Sequence, residues 1–151
     1  MKNLEKVRLR TANDEDLPFI FNSWLKSYRN SHFAEKITNT IYFSDHHKVV
    51  ENILKDSITM IACNADDPTQ MYGYAVGSQT DGIFVLHFIY VKHTFRSMGI
   101  GTLLLESYGF DVENASVYTH HTRIAEKLAA KYNFVYHPYL MFVGESNGSK
   151  K

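Results

Sequence analysis

The stretch Ile89-Tyr90-Val91-Lys92-His93-Thr94-Phe95-Arg96-Ser97-Met98-Gly99-Ile100-Gly101-Thr102-Leu103-Leu104-Leu105 decides the reading of this chain. An apolar run ends, a short turn follows, and Arg96-x-x-Gly99-x-Gly101 leads into residues with helical spacing, with Ile100, Leu103, Leu104 and Tyr108 on one face. Glycine lets the backbone approach a ligand and reach positive φ, which leaves amide N–H groups to point at an anion. A helix N-terminus adds partial positive charge, and Arg96 adds a charged fork. A phosphate-binding Walker loop needs Gly-Lys-Ser/Thr, whereas Gly101 is followed by Thr102-Leu103. A dinucleotide fingerprint needs a third glycine where Leu104 stands, and belongs to the first strand of a parallel unit. A plain helix start after a turn is the bland alternative.

Working outward, Ile83–Val91 reads as the longest strand, preceded by the tight turn Asp81-Gly82 and the strand Met71–Gln79. The turn signal Ala65-Asp66-Asp67-Pro68-Thr69 separates these from a strand over Ile58–Asn64. Loops this short imply three antiparallel strands. Toward the N-terminus, Val7–Thr11 alternates as a strand. Asn13 to Asp16 supplies capping and first-turn acids, and Leu17, Ile20, Phe21, Trp24, Leu25 and Tyr28 form one apolar helical face. Ser31 to Ser44 is bulky without a period, either a short helix or an aromatic loop. Asp45 is expected to cap a second helix with Val49, Val50, Ile53 and Leu54 inward. Toward the C-terminus come a strand over Ala115–Thr119, a helix over Thr122–Tyr132, and a closing hairpin of Phe134–Tyr136 with Leu140–Val143. The order β-α-α-β-β-β-α-β-α-β-β implies at least one parallel pairing through a right-handed crossover. The predicted fold class is therefore α/β of the α+β kind, a mixed and largely antiparallel sheet with helices on both faces.

At 151 residues the chain is one domain's worth, expected over residues 1–144 with a frayed polar tail over 145–151. Sixteen basic and sixteen acidic side chains cancel, so the footprint of a nucleic-acid or anionic-membrane binder is missing. No apolar run reaches the length of a membrane span, and the polar start lacks a signal-peptide core. The single cysteine, Cys63, sits in an apolar run and reads as a small buried hydrophobe. A reduced, cytoplasmic location follows.

The loop Arg96-Ser97-Met98-Gly99-Ile100-Gly101 resembles the pyrophosphate loop, Gln/Arg-x-x-Gly-x-Gly/Ala, of the GNAT superfamily of acyl-coenzyme-A-dependent N-acetyltransferases. The similarity extends over nearly the whole element order, with Asn133-Phe134 where such domains commonly have Gly-Phe. More loosely, Phe19 to Ala34 resembles acetyltransferases encoded in tailed-phage genomes. The resemblance implies acetyl-CoA as co-substrate, no metal, and an amine acceptor on a small molecule or protein; a homodimer stays open. It implies that the amides of Met98, Gly99, Ile100, Gly101 and Thr102 hold the pyrophosphate, with Arg96 and Ser97 beside it. The backbone of Ile89, Tyr90 and Val91 would pair with the pantetheine arm. It also implies that this strand splays from Ala115–Thr119, opening a gap for the thioester.

Two positions depart from the family pattern. Nine residues before the loop Arg, where a Glu base is common, stands His87, the one polar residue in Val85-Leu86-His87-Phe88-Ile89. A neutral imidazole is able to act as base near pH 7 without a large pKa shift; a core histidine bonded to a backbone carbonyl is the alternative. The usual acid, a Tyr five residues before the Phe of Gly-Phe, is replaced by Ala129. Tyr118, His120 and His121 at the strand end, and Tyr132 on another helical face, are the other candidates. A thiolate also leaves without an acid. His120 and His121 face opposite ways on a strand, so no metal is expected there. Trp24, Tyr28, Arg29, Phe33, Tyr42 and Phe43 are candidates to line the acceptor site. An N-acetyltransferase is one reading; a catalytically weak fold relative that holds acyl-CoA or a partner protein is the other.

Overall fold

The computed structural model describes residues 6–29, 39–80, 83–96, 98–109, 116–120, 125–127, 131 and 134–136, with backbone alone at 29, 39–44 and 80. Its elements are β1 (Val7–Thr11), a 3-10 turn (Asp14–Asp16), α1 (Leu17–Arg29), α2 (Asn39–Asp56), β2 (Ile58–Asn64), β3 (Met71–Thr80) and β4 (Ile83–Val91). A second 3-10 turn (His93–Phe95) leads to α3 (Ile100–Glu106), β5 (Ser116–Tyr118) and β6 (Phe134–Tyr136). The six strands form one sheet in chain order. Strands β1 to β4 are antiparallel neighbours, while β4–β5 and β5–β6 run parallel. The mixed, largely antiparallel sheet expected from the loop lengths is thus present, with helices on both faces.

The alternating apolar residues of the strands feed two cores. On one face Ile20, Trp24, Leu25 and Tyr28 of α1 and Val50 and Ile53 of α2 pack against Ile61, Tyr74, Val76 and Phe88. On the other, Ile100, Leu104 and Leu105 of α3 pack against Ala62, Ala75, Leu86, Ile89 and Val91. Burying two such faces is the dominant favourable term in holding the layers together. The start of α1 is fixed by a capping box: the Asn13 side chain accepts from the Glu15 amide, and Asp16 accepts from the Asn13 amide. Asp16 also takes two bonds from Arg10, at 2.7 and 2.9 Å, which ties β1 to the helix it precedes.

One correction concerns α2. The helix begins at Asn39, so Asp45 is an interior residue and not its cap; Tyr42 and Phe43 lie in that helix, the first of the two alternatives open for their stretch. The inward stripe of α2 starts earlier than expected, at the buried His46, three and four residues before Val49 and Val50. The segment 31–38, the strand predicted at Leu140–Val143 and the tail 145–151 lie outside the described residues.

Candidate active site

The site forms where β4 and β5 part. Their pairing covers only Phe84, Leu86 and the residue between, against Ser116, Val117 and Tyr118, and ends with the Thr119 amide donating to Leu86 O at 3.0 Å. From Phe88 to Val91, β4 has no partner on this side among the described residues. The parting coincides with a bulge. On β3, Val76 faces Phe88 while the next residue, Gly77, faces Leu86, so His87 is the extra residue. The facing of side chains changes there: Phe84 and Leu86 pack under α3, whereas Phe88 and Tyr90 pack under α1. Bulges bend and twist a strand and re-aim its side chains, and this one places His87 at the mouth of the gap.

His87 is buried and bonded at both ring nitrogens. Its Nδ1 lies 3.1 Å from Thr119 Oγ1 and its Nε2 lies 3.3 Å from Ser78 Oγ. It is therefore not the histidine bonded to a backbone carbonyl; its own carbonyl instead accepts from Thr119 Oγ1 at 3.3 Å. Thr119 continues to His120 Nδ1 at 2.9 Å, and His120 Nε2 meets His46 Nε2 at 2.9 Å. Aromatic rings enclose the end of this chain: Tyr28 stacks on His46, and Trp24 and Tyr28 meet His120 edge-on. Burial pushes His87 and His46 from 6.5 down to about 4. It pushes His120 further below the ordinary range, with the neighbouring His46 and His87 adding to the effect. All three rings are neutral near pH 7, and the expectation that His87 titrates without a large shift is corrected: desolvation disfavours its imidazolium.

At the other end of the unpaired part of β4, Arg96 Nε donates to Val91 O at 2.8 Å, which fixes the guanidinium at the junction of strand and loop. Gly99 caps α3 with φ of 84° and no side-chain cap bond. That left-handed conformation favours glycine. The first-turn amides of Ile100, Gly101 and Thr102 have no acceptor within the helix by its geometry. Met98 and Thr102 are half-buried, Gly99 is exposed, and Lys131 Nζ donates to Thr102 Oγ1 at 3.4 Å, which brings a second cation to the loop. The loop and the strand edge of Ile89, Tyr90 and Val91 are thus contiguous, as an extended ligand with a phosphorylated end requires.

The structure treats the other sequence candidates differently. Tyr118 packs in the α3-side core near Tyr136, and burial raises its phenol, with Glu126 adding to the rise. Trp24 and Tyr28 are fully buried core residues, with Trp24 stacked on Phe88 at 4.8 Å; neither lines an open acceptor cavity. Ser97, Phe33, His121, Ala129 and Tyr132 lie outside the described residues, as do the side chains of Arg29, Tyr42 and Phe43. Four polar residues of the site were not singled out by sequence: Ser78, Thr119, His46 and Lys131. Of these, His46 had a signal, its place on the inward stripe of α2.

No protein-family model and no curated protein matches the sequence. Among solved structures, a GNAT-family acetyltransferase from Brucella melitensis in complex with acetyl-CoA aligns over 81% of this chain and 80% of its own, with 15% identity and a TM-score of 0.52. The PaiA N-acetyltransferase from Thermoplasma acidophilum, in complex with coenzyme A, aligns over 68% and 69%, with 16% identity and a TM-score of 0.50. For a GNAT-family acetyltransferase from Staphylococcus aureus Mu50 the values are 67% of this chain, 62% of that one, 18% identity and 0.47, so the match spans less than two thirds of that protein. With the loop, the parted strands and the sheet order in place, the chain carries the fold of the GNAT-family acetyltransferases.

Proposed function

We propose that this protein is an N-acetyltransferase that moves an acetyl group from acetyl-CoA to an amine by direct attack in a ternary complex. The observation that carries the proposal is the contiguity of the Arg96–Thr102 loop with the unpaired edge of β4, ending at His87. Acetyl-CoA, when bound, supplies the activated thioester. The amides of Met98 to Thr102 and the Arg96 guanidinium hold its phosphates, Ile89 to Val91 offer backbone groups to its arm, and His87 accepts the ammonium proton of the acceptor amine at Nε2. The neutral state of His87 leaves a lone pair available, and His120, the nearest polar ring, orients it through Thr119.

The test is thiol release from acetyl-CoA across a panel of amines, polyamines, aminoglycosides and host lysate. Gly99→Glu, which adds bulk and like charge beside the phosphates, abolishes coenzyme binding in calorimetry; near-normal affinity refutes the loop assignment. His87→Ala lowers kcat by roughly 10²-fold, the usual contribution of a general base, and an unchanged pH–rate profile removes His87 from the mechanism. A second reading, a domain that holds acyl-CoA or a partner protein without efficient turnover, is favoured by one observation: a proton affinity near 4 makes His87 a weak base toward an ammonium. Tight coenzyme binding with no acceptor-dependent thiol release selects that reading.

A further inference from the structure

The proposed reaction uses His87 alone, yet His87 is the first ring of a buried polar chain that crosses the core from β3 to α2. Ser78, His87, Thr119, His120 and His46 are joined in sequence by contacts of 3.3, 3.1, 2.9 and 2.9 Å. Buried polar groups cost stability unless each is satisfied, and here the chain satisfies itself. The donor count constrains its direction. Thr119 has one hydroxyl proton and three neighbours: His120 Nδ1 at 2.9 Å, His87 Nδ1 at 3.1 Å and His87 O at 3.3 Å. A carbonyl only accepts, so the hydroxyl proton goes to His87 O, and the two Nδ1 atoms donate to the lone pairs of Thr119 Oγ1. His87 is then the Nδ1–H tautomer with its Nε2 lone pair toward the half-buried Ser78, and His120, also Nδ1–H, accepts at Nε2 from His46 Nε2.

We infer that Thr119, held in turn by His120 and His46, is a positioning residue that fixes His87 in its Nδ1–H tautomer and leaves Nε2 as the atom that takes the amine proton. The inference rests on the acetyl-transfer reading for what that tautomer serves. The step balances: one N–H bond breaks at the amine and one forms at His87 Nε2, while Nδ1 keeps its proton. The groups facing the chain are Trp24 and Tyr28 from α1, His46 from α2, Ser78 from β3 and Phe88 from β4. No carboxylate is bonded to His87, Thr119 or His120 among the described residues.

The experiment pairs Thr119→Val, nearly isosteric but without the hydroxyl, with Thr119→Ser, which restores it. The first readout is the imidazole ¹⁵N spectrum of the full-length protein, independent of turnover. The expected result is His87 as Nδ1–H in the wild type and in Thr119→Ser, and a switch to Nε2–H in Thr119→Val. The second readout is the pH dependence of kcat with the most active amine of the panel. Thr119→Val lowers kcat by roughly 10²-fold, the loss expected when the general base is in the wrong tautomer, and Thr119→Ser recovers it. A wild-type His87 in the Nε2–H form, or a Thr119→Val protein with the wild-type tautomer or pH profile, overturns the positioning role of Thr119. Wild-type protein with the Nδ1–H tautomer but no turnover on any amine overturns the acetyl-transfer reading instead, and leaves the tautomer assignment standing.

Discussion

Acid should unfold this protein early, in a window set by the three buried histidines. An unfolded imidazole takes a proton near pH 6.5, whereas His46 and His87 in the fold take none until about pH 4 and His120 lower still. Between these limits the unfolded chain binds more protons, so stability falls as pH falls, and above pH 6.5 it is flat. His46 and His87 each contribute about 3 kcal/mol across the whole window, and about 2 kcal/mol of that is lost between pH 7 and pH 5. The two together remove about 4 kcal/mol over those two pH units, with His120 acting in the same direction, a sum close to the entire stability of many domains. Urea unfolding followed by tryptophan fluorescence suits the measurement. Trp24 is the sole tryptophan, and it lies against Phe88 and His120, so its emission reports the same core. His46→Phe, which keeps a ring against Tyr28 and removes one titrating group, reduces the drop by about 2 kcal/mol. A wild-type stability that changes by less than about 1 kcal/mol between pH 7 and pH 5 would show that the rings are hydrated or charged in the fold, and would refute the neutral chain.

Three further outcomes follow from packing and bonding outside that chain. Gly73→Ala destabilises by about 2–3 kcal/mol in urea titration, because a Cβ there meets backbone, Tyr90 O at 2.5 Å and Val91 Cα at 3.1 Å, and forces β3 from β4 beside the unpaired edge. Tyr108→Phe costs about 1–2 kcal/mol: the hydroxyl lies 2.7 Å from Ile58 O and 2.8 Å from Ala75 O and clamps the end of α3 across β2 and β3. Asp16→Asn costs about 2 kcal/mol at pH 7, the value of a bond to a charged group. Arg10 holds the Asp16 carboxyl below its ordinary range, so this contribution is present above pH 3.8 and is lost only as pH falls further, separately from the histidine window.

How much of this was legible in the sequence depends on the range of the interactions. Strands β2 and β4 carry the predicted bounds, because Asp66-Asp67-Pro68 and Asp81-Gly82 punctuate runs of apolar residues and turn chemistry is local. The Arg96–Gly101 loop was legible for the same reason, since a positive φ at Gly99 is a single-residue requirement. The start of α2 was not, because Asn39-Thr40-Ile41-Tyr42-Phe43-Ser44 carries no inward stripe of its own and Asp45 imitates a cap. The bulge left no trace either. In Val85-Leu86-His87-Phe88-Ile89 both faces are apolar, so a slip of one residue breaks no pattern. His87 stood out only as the polar member of that run. Its partners Thr119 and His46 are brought to it by sheet pairing and helix packing across 32 residues in one case and, through His120, 74 in the next contact. Periodicity does not encode such pairings.

The low proton affinity of His87 bears directly on what kind of base the fold is able to offer. An alkylamine with the ordinary lysine value near 10.4 gives its proton to bulk water at pH 7 at a cost of about 5 kcal/mol, whereas leaving it on an imidazole with a value near 4 costs about 4 kcal/mol more. Burial therefore sets a cost on every moment that His87 holds the proton. With every ring neutral at rest, Nδ1 of His87 stays a donor and Nε2 keeps its lone pair toward Ser78, and no charge waits in the core between turnovers. On the proposed mechanism the same desolvation that makes the fold acid-sensitive keeps the chain uncharged and oriented. Raising the resting value of His87, by placing a carboxylate where Ser78 stands, should then change two properties in opposite directions. Ser78→Asp would shrink the loss of stability between pH 7 and pH 5, since a charged His87 becomes tolerable, and would lower kcat at pH 7, since the lone pair at Nε2 is taken up by a retained proton. A Ser78→Asp protein with a flatter acid profile and unimpaired kcat would show that proton transfer does not run through Nε2 of His87.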